Sequence, residues 1–228
     1  AILSVAGNIH TEQTKAWIEK WFADIPSGTY CPPPLPQEPP QTEARSLEVV
    51  RKVPYDYLLI AFHSCQRKDE AFYAADLLSD ILSSGNSSRF QEILVNEKHI
   101  FTSISTYLTG TFDKGLFIIN GIPATGISLQ AAEEAVWEIL HELKSTSVDT
   151  NELQKVKNKV NTLLYFNELS VQDKALSLCL FEALDHAERM NKEVENYQKV
   201  NIADIQHSAR EIFREENSST LYYKAATN

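Results

Sequence analysis

Apolar and polar residues recur with two different periods along the chain, and these periods predict its strands and helices. Residues 2–6 predict a short strand, and Thr11 is placed to cap the helix that follows. Two apolar stretches on either side of Val53-Pro54 predict two further strands. The second of them, YDYLLIAFHS, is apolar enough to be central in a sheet.

Beyond these strands, the pattern predicts a helix, a hairpin, several more helices and a last strand. The predicted bounds are 69–82 for the first helix, 103–108 and 115–122 for the hairpin, 128–144, 193–200 and 202–214 for three helices, and 219–225 for the strand. A longer helical segment follows Asp149, with a break expected near residues 167–170. This order indicates an α+β fold, in which an antiparallel sheet of about five strands packs against a layer of helices.

The stretch YCPPPLPQEPPQ, residues 30–41, is the clearest boundary in the chain. Six of its twelve residues are proline, so it is expected to run as a stiff, extended linker. We therefore predict three parts: a strand–helix tail of a preceding domain in residues 1–28, the linker in 29–44, and one domain in 45–228.

Composition narrows the class of partner. The net charge of −10 and the pI of about 5.1 argue against nucleic acid. The longest apolar runs fall far short of the about 20 residues that a membrane span requires, so we expect no transmembrane segment.

No sequence motif of catalysis or metal binding is present. None of the six histidines has HExxH or HxxEH spacing, and the GxSxG, GxxxxGK[ST] and GxGxxG patterns are missing. The residues alone therefore indicate no catalytic residue and no metal ligand in this chain.

The most distinctive stretch is GNSSRFQEILVNEKHIFTSISTYLTG, which opens on a small polar turn. We call Gly85, Asn86, Ser87, Ser88 and Arg89 the knuckle. Gly85 and Asn86 suit a turn, Ser87 suits a helix N-cap, and Arg89 is expected to hold the turn through backbone carbonyls.

Six segments occur in an order that resembles one family. They are ILSVAGNI, WFADIPSG, GNSSRFQEILVNEKHI, DKGLFIINGIP, VDTNELQKVKNKV and SVQDKALSL. In this order the chain resembles the C-terminal half-domain of bacterial zinc metallopeptidases of the pitrilysin and mitochondrial-processing-peptidase family. The resemblance covers essentially the whole chain.

The resemblance implies a division of labour between two similar α+β half-domains that close around a peptide. The first half carries the inverted zinc motif HxxEH, whereas the second half lacks it and forms a wall of the chamber. We therefore expect no cofactor in this chain and zinc in its partner, an HxxEH-bearing N-terminal half-domain or partner subunit. A homodimer is also possible, and a periplasmic or envelope-associated location is favoured over a cytoplasmic one.

Active members of the family also supply an Arg and a Tyr from the second half to the scissile peptide bond. In this chain those positions fall on Asn96 and Thr102, so both residues are substituted. Two readings of the whole protein follow. In one, this half-domain assists proteolysis by a zinc-bearing half; in the other, the protein is a proteolytically inactive homologue that acts as a scaffold or non-catalytic subunit.

Overall fold

The computed structural model describes residues 1–29, 31, 36 and 38–226. The predicted linker conformation falls largely on residues 30, 32–35 and 37, which lie outside the described residues. The described part holds five strands, seven α-helices, one π-helix and two short 3₁₀-helices, Ala187–Lys192 and Glu215–Asn217. The strands are β1 (Arg45–Arg51), β2 (Tyr57–His63), β3 (Phe101–Leu108), β4 (Leu116–Pro123) and β5 (Ser218–Ala225). The helices are α1 (Thr11–Phe22), α2 (Ala71–Ser83), the π-helix (Phe90–Glu97), α3 (Leu129–Ser145), α4 (Thr150–Asn167), α5 (Val171–Leu184), α6 (Glu193–Lys199) and α7 (Ile202–Ile212).

Local capping sets where the longer helices begin. Ser128 accepts a hydrogen bond from the Ala131 amide at 3.1 Å at the start of α3, and Asp149 accepts one from Asn151 at 2.7 Å at the start of α4. Ser170 caps α5 in the same way, so the break predicted near residues 167–170 is present between α4 and α5.

The five strands form one sheet in the order β1-β5-β2-β4-β3. The α+β class is confirmed, and β2 is central as predicted. The sheet is mixed rather than wholly antiparallel, because β1 and β5 run parallel. β5 returns from the helical half of the chain and inserts between β1 and β2, so the two strands around Val53-Pro54 do not pair with each other.

The core lies on one face of this sheet. Leu58, Ile60 and Phe62 of β2 are at most 1% exposed and belong to the same buried cluster as α2, α3 and α7. Phe213, just after α7, packs edge-on against Phe62 and Phe117, with ring centroids 5.3 and 5.1 Å apart. Such edge-to-face pairs add about 0.5–1.5 kcal/mol each beyond the area they bury, so they fix α7 on the sheet.

A buried polar network attaches α6 to α2. Glu193 pairs with Arg67 and accepts a hydrogen bond from the Tyr73 hydroxyl at 2.6 Å. The Tyr197 hydroxyl donates to Asp76 at 2.6 Å. Burial raises the pKa of Asp76, and the Tyr197 hydrogen bond opposes that rise only in part.

The N-terminal segment differs from its prediction. Residues 2–6 form no strand, because a strand requires a neighbour and no described strand pairs with them. The segment instead lies beside α5, where the Ile2 carbonyl is 3.9 Å from Cys179 Sγ. Thr11 is the first residue of α1 rather than its cap; His10 precedes it and makes no side-chain capping bond.

α1 itself buries none of its residues. Its apolar face, which includes Trp17, Trp21 and Phe22, is more than half exposed. An apolar helix face of this kind normally packs against another element. Among the residues that the structure describes, no helix is long and apolar enough to cross a membrane.

Candidate functional site

The knuckle is a tight turn fixed by its own backbone and one hydroxyl. Gly85 has φ +91°, which a side chain disfavours. Ser88 is 1% exposed, and both its amide and its hydroxyl donate to the Gly85 carbonyl, at 3.1 and 2.7 Å. Ser87 does not cap the helix; its carbonyl and hydroxyl accept from Lys155 Nζ of α4, at 2.9 and 3.1 Å. Asn86 is exposed.

Arg89 anchors the knuckle to the helical layer through carboxylates, not through backbone carbonyls as expected. Its Nε and Nη2 donate to the two carboxylate oxygens of Glu152 on α4, both at 3.0 Å. Glu142 of α3 lies 3.7 Å from its Nη1. Burial disfavours the charged guanidinium, but the bonds to Glu152 outweigh it and raise the pKa of Arg89. Arg89 therefore fixes the knuckle to α4 through Glu152 and to α3 through Glu142.

The knuckle leads into the π-helix Phe90–Glu97, which we call the arm. Its wider turns are closed by bonds such as Lys98 N–H to the Ile93 carbonyl at 2.9 Å. Two residues of the arm, Phe90 and Leu94, are fully buried and anchor it in the core. π-Helical turns are rare and occur preferentially at functional sites, so the arm is a candidate for the functional part of this stretch.

Two residues after the arm, the backbone takes an unusual conformation. His99 has φ +50°, the left-handed conformation that favours glycine, and its Nδ1 lies 3.0 Å from the Val95 carbonyl. Beside it, Lys98 Nζ donates to Glu138 of α3 at 2.7 Å. These contacts tie the end of the arm to α3 and turn the chain into β3.

Asn96 and Thr102 lie on either side of this turn, and both are exposed. Asn96 is in the last turn of the π-helix, where its Oδ1 accepts from Gln91 Nε2 at 3.4 Å. Thr102 sits at an irregularity in the β3–β4 register between Phe101 and Ser103. No hydrogen bond joins Asn96 to Thr102 in the described residues, so the structure places them near one turn without linking them.

Gly121 of β4 has no side chain, and this allows the start of β3 to pack directly against the β4 backbone. A methyl group added at Gly121 would lie 2.8 Å from a ring carbon of Phe101 and from the Ser103 carbonyl. Phe101 is buried against this position. The glycine therefore sets the position of the segment that carries Thr102.

The sheet face opposite the helices is a second candidate surface, which we call the open face. Side chains alternate across the sheet, and this face carries the residues that stay partly exposed, including Leu47 at 61% and Tyr107 at 46%. Register aligns one row across all five strands, namely Leu47, Leu221, Leu59, Asn120 and Ser105. In this row, β1, β5 and β2 each contribute a leucine.

The open face becomes polar toward β3. Ser105 Oγ donates to Asn120 Oδ1 at 2.8 Å on that side. Tyr57 lies on the same face, where burial and the nearby Tyr107 raise the pKa of its hydroxyl. Over the described residues, no group of three or more His, Cys, Asp or Glu side chains is placed to hold a metal ion.

The fold and the two surfaces define the class of the protein: an α+β domain with one helical layer and one sheet face that none of the described helices covers. The Peptidase M16 inactive domain family matches residues 1–160, and the chain belongs to this family. This confirms the resemblance drawn from the sequence motifs.

Two relatives and two solved structures agree with this assignment. The zinc protease YmxG of Bacillus subtilis is 25% identical over 222 residues, which are 96% of this chain and 53% of that protein. The zinc protease PqqE of Helicobacter pylori is 23% identical over 229 residues, 98% of this chain and 51% of that protein. The chain therefore spans about half the length of these curated relatives.

The similar structures show the same fold. The crystal structure of a protease from Helicobacter pylori matches with a TM-score of 0.90 at 21% identity, over 96% of this chain and 54% of that one. The peptidase M16 inactive domain from Pseudomonas fluorescens matches with a TM-score of 0.82 at 15% identity, over 97% of this chain and 52% of that one.

Proposed function

We propose that this chain is the non-catalytic half of a zinc peptidase and forms one wall of a clam-like chamber in which a zinc-bearing, HxxEH-containing half cleaves peptides. The observation that carries the proposal is the open face, where leucines of β1, β5 and β2 form an apolar row beside the polar pair Asn120 and Ser105. Contiguous exposed apolar side chains mark interaction surfaces, and an extended peptide can lie across the strands of a sheet.

Both curated relatives are named zinc proteases and are about twice as long as this chain. A second half of similar size is therefore the expected partner. Residues 1–28 support the same arrangement as the tail of that half. The exposed apolar side of α1, with Trp17 and Trp21, is the surface that would return to it.

We propose that this half stabilises the transition state less than the halves of family members that carry Arg and Tyr at the positions of Asn96 and Thr102. A charged or hydroxyl donor that reaches a developing oxyanion contributes on the order of 2.7–4 kcal/mol. Asn96 can donate only a neutral hydrogen bond, and the side chain of Thr102 is shorter than a tyrosine. This half therefore acts through the shape of the chamber and through contacts with the peptide.

Edge-strand pairing with the substrate is less favourable at β3 than the strand's position at the edge suggests. The Thr106 amide already donates to Ser83 Oγ of α2 at 2.8 Å, and the two hydroxyls lie 2.9 Å apart. A peptide that added to β3 here would have to displace Ser83. The substrate-binding surface in our proposal is therefore the open face.

The alternative function is that of a scaffold or non-catalytic subunit in an inactive homologue, and the residues at Asn96 and Thr102 favour it. The two functions differ in one sequence feature. An HxxEH motif in the preceding part of the polypeptide or in a co-expressed partner supports assisted proteolysis, and its absence from both supports the scaffold.

The experiment compares two single variants, each with one glutamate on β1, in the full-length protein or in its complex with the partner subunit. The two glutamates lie on opposite faces of the sheet. Leu47 lies on the open face and Val50 on the opposite face, and they are 61% and 50% exposed. We expect Leu47→Glu to lower kcat/KM for an apolar peptide several-fold and the matched control Val50→Glu to leave it unchanged. Equal activity of both variants and the parent protein would contradict the proposal.

A further inference from the structure

The two edges of the sheet differ in how well they could accept a further strand. β3 forms one edge, where its register with β4 is irregular and where the Thr106 amide donates to Ser83 Oγ. β1 forms the other edge and pairs with β5 over its whole length without a bulge. A regular edge strand presents a row of free backbone groups, so β1 is the edge that suits a further strand.

Every second residue of β1 directs its amide and its carbonyl away from β5. The Arg51 carbonyl points toward β5, because it accepts from the Ala226 amide at 2.8 Å. Successive residues of a strand point their backbone groups to opposite sides, so those of Ser46, Glu48 and Val50 point outward. The Val50 carbonyl accordingly accepts from a side chain, Arg51 Nη1, at 2.9 Å. Over the described residues, the three outward amides have no hydrogen-bond acceptor.

On the open face, the side chains of β1 place a positive charge at each end of an apolar pair. Leu47 and Val49 lie between Arg45 and Arg51 on this face, since side chains alternate along a strand. Both arginines are exposed, and among the described residues neither guanidinium has a carboxylate within 4.0 Å. The two charges are about 20 Å apart along the strand.

The charges of β1 oppose its pairing with a second copy of this chain. Two β1 strands in full antiparallel register would place Glu48 opposite Glu48 and Arg45 opposite Arg51. Like charges directly opposite each other are destabilising. Glu48 already pairs with Lys224 of β5 at 2.7 Å. The edge therefore favours a strand of a different sequence, with acidic residues opposite the arginines.

The position of β1 separates this edge from the knuckle and the arm. Four strand spacings, about 19 Å, lie between β1 and β3, the strand that follows the arm. A strand added to β1 would lie one spacing further from Asn96 and Thr102. The edge therefore suits a bound partner rather than a peptide held at those two positions.

We propose that the outer edge of β1 binds an extended segment of a partner protein, which joins the sheet as an antiparallel sixth strand. The segment carries apolar residues opposite Leu47 and Val49 and an acidic residue opposite each of Arg45 and Arg51. Hydrogen bonds to the outward backbone groups of β1 provide the affinity, and the two carboxylates provide the specificity. This partner is a different ligand from the peptide that is cleaved in the proposed function.

The test measures the Kd of short peptides for the full-length protein, or for its complex with the partner subunit, by fluorescence anisotropy. The probe has the sequence ETVTVTE, with a label at its N-terminus and an amide at its C-terminus. The control peptide, KTVTVTK, replaces both glutamates by lysine. We expect the control to bind about tenfold more weakly, because both opposite-charge pairs with β1 become like-charge pairs.

Methylation of single peptide amides distinguishes strand addition from other contacts. In the proposed register, the central threonine lies opposite Glu48 and directs its amide toward β1. Each valine directs its amide away from β1, because it lies opposite a residue whose backbone groups face β5. We expect N-methylation of the central threonine to weaken binding about tenfold and N-methylation of the first valine to change it less than about twofold.

Charge variants connect the preference to β1. The double variant Arg45→Gln/Arg51→Gln should remove most of the difference between the two peptides. The matched control Lys68→Gln/Lys114→Gln removes two exposed positive charges outside β1 and should leave the difference intact.

Each other outcome overturns the inference. Equal binding of the two peptides would show that the arginines do not select the segment, and tight binding of the peptide methylated at the central threonine would exclude strand addition. If neither peptide binds to the full-length protein or complex, the edge is covered by another part of the assembly. Cleavage of the probe by the zinc-loaded protein, slowed by Arg45→Gln/Arg51→Gln, would make the edge a substrate site instead of a partner site.

Discussion

The bond between Arg89 and Glu152 should be one of the largest single contributions to the stability of the candidate site. Substitution of Arg89 by Met removes two hydrogen bonds of 3.0 Å and leaves Glu152 without its cation. The two side chains are only 15% and 17% exposed. A hydrogen bond to a charged group contributes about 1.5–3 kcal/mol, and loss of one partner of a fully buried pair costs about 3–5 kcal/mol. Because some solvent reaches this pair, we expect Arg89→Met to lower the free energy of unfolding by about 2–3 kcal/mol.

Urea unfolding followed by circular dichroism measures this effect directly. The expected loss corresponds to a fall of about 4–12 °C in Tm for a domain of this size. Lys98→Met is the matched control, because it removes an exposed pair with Glu138 and should cost less than about 1 kcal/mol. The double variant Arg89→Met/Glu152→Leu should regain much of the loss, since it leaves no buried unpaired charge; the remaining carboxylate, Glu142, is 54% exposed. A loss no larger than that of the control, or a double variant as unstable as Arg89→Met, would refute the reasoning.

Three further predictions concern the turn, the buried carboxylate and the metal. Gly85→Ala should lower the free energy of unfolding by about 1 kcal/mol through its positive φ alone, whereas Gly28→Ala, also in open space but without that conformation, should be nearly neutral in the same urea titration. Because the folded-state pKa of Asp76 is raised above its ordinary value of 3.8, the stability that its protonation provides is present below that value and is lost as the pH rises through the folded pKa. The stability of the parent protein relative to Asp76→Asn should thus be greater near pH 4 than near pH 7 in unfolding titrations, and a difference that does not change with pH would contradict this assignment. The chain by itself should neither bind zinc stoichiometrically nor cleave peptides, and elemental analysis after chelation and reconstitution would reveal the opposite result.

Features that depend on neighbouring residues could be predicted from the sequence. Ser128 and Asp149 cap their helices as expected, because a capping bond reaches only two or three residues along the chain. The central position of β2 also followed from its continuous apolar stretch. Strand pairing is different in kind. The parallel pair of β1 and β5 joins residues more than 170 positions apart, and no local pattern specifies it.

The candidate site shows the same division. The Gly85 turn was recognisable from its residues, but the partner of Arg89 is 63 residues away on α4. From the sequence alone, Glu152 cannot be told apart from the other glutamates of the predicted helices. The prediction of a strand at residues 2–6 failed because apolar composition favours a strand only where another strand is available.

In our proposal, this chain completes a peptidase without carrying its metal. The most direct measurement is the rate of peptide hydrolysis by the zinc-loaded, HxxEH-bearing half or partner subunit, with and without this chain. We expect little hydrolysis by that half alone and a large, saturable increase when the chain is added, and the Leu47→Glu chain should produce a smaller increase. Equal hydrolysis with and without the chain would contradict the account.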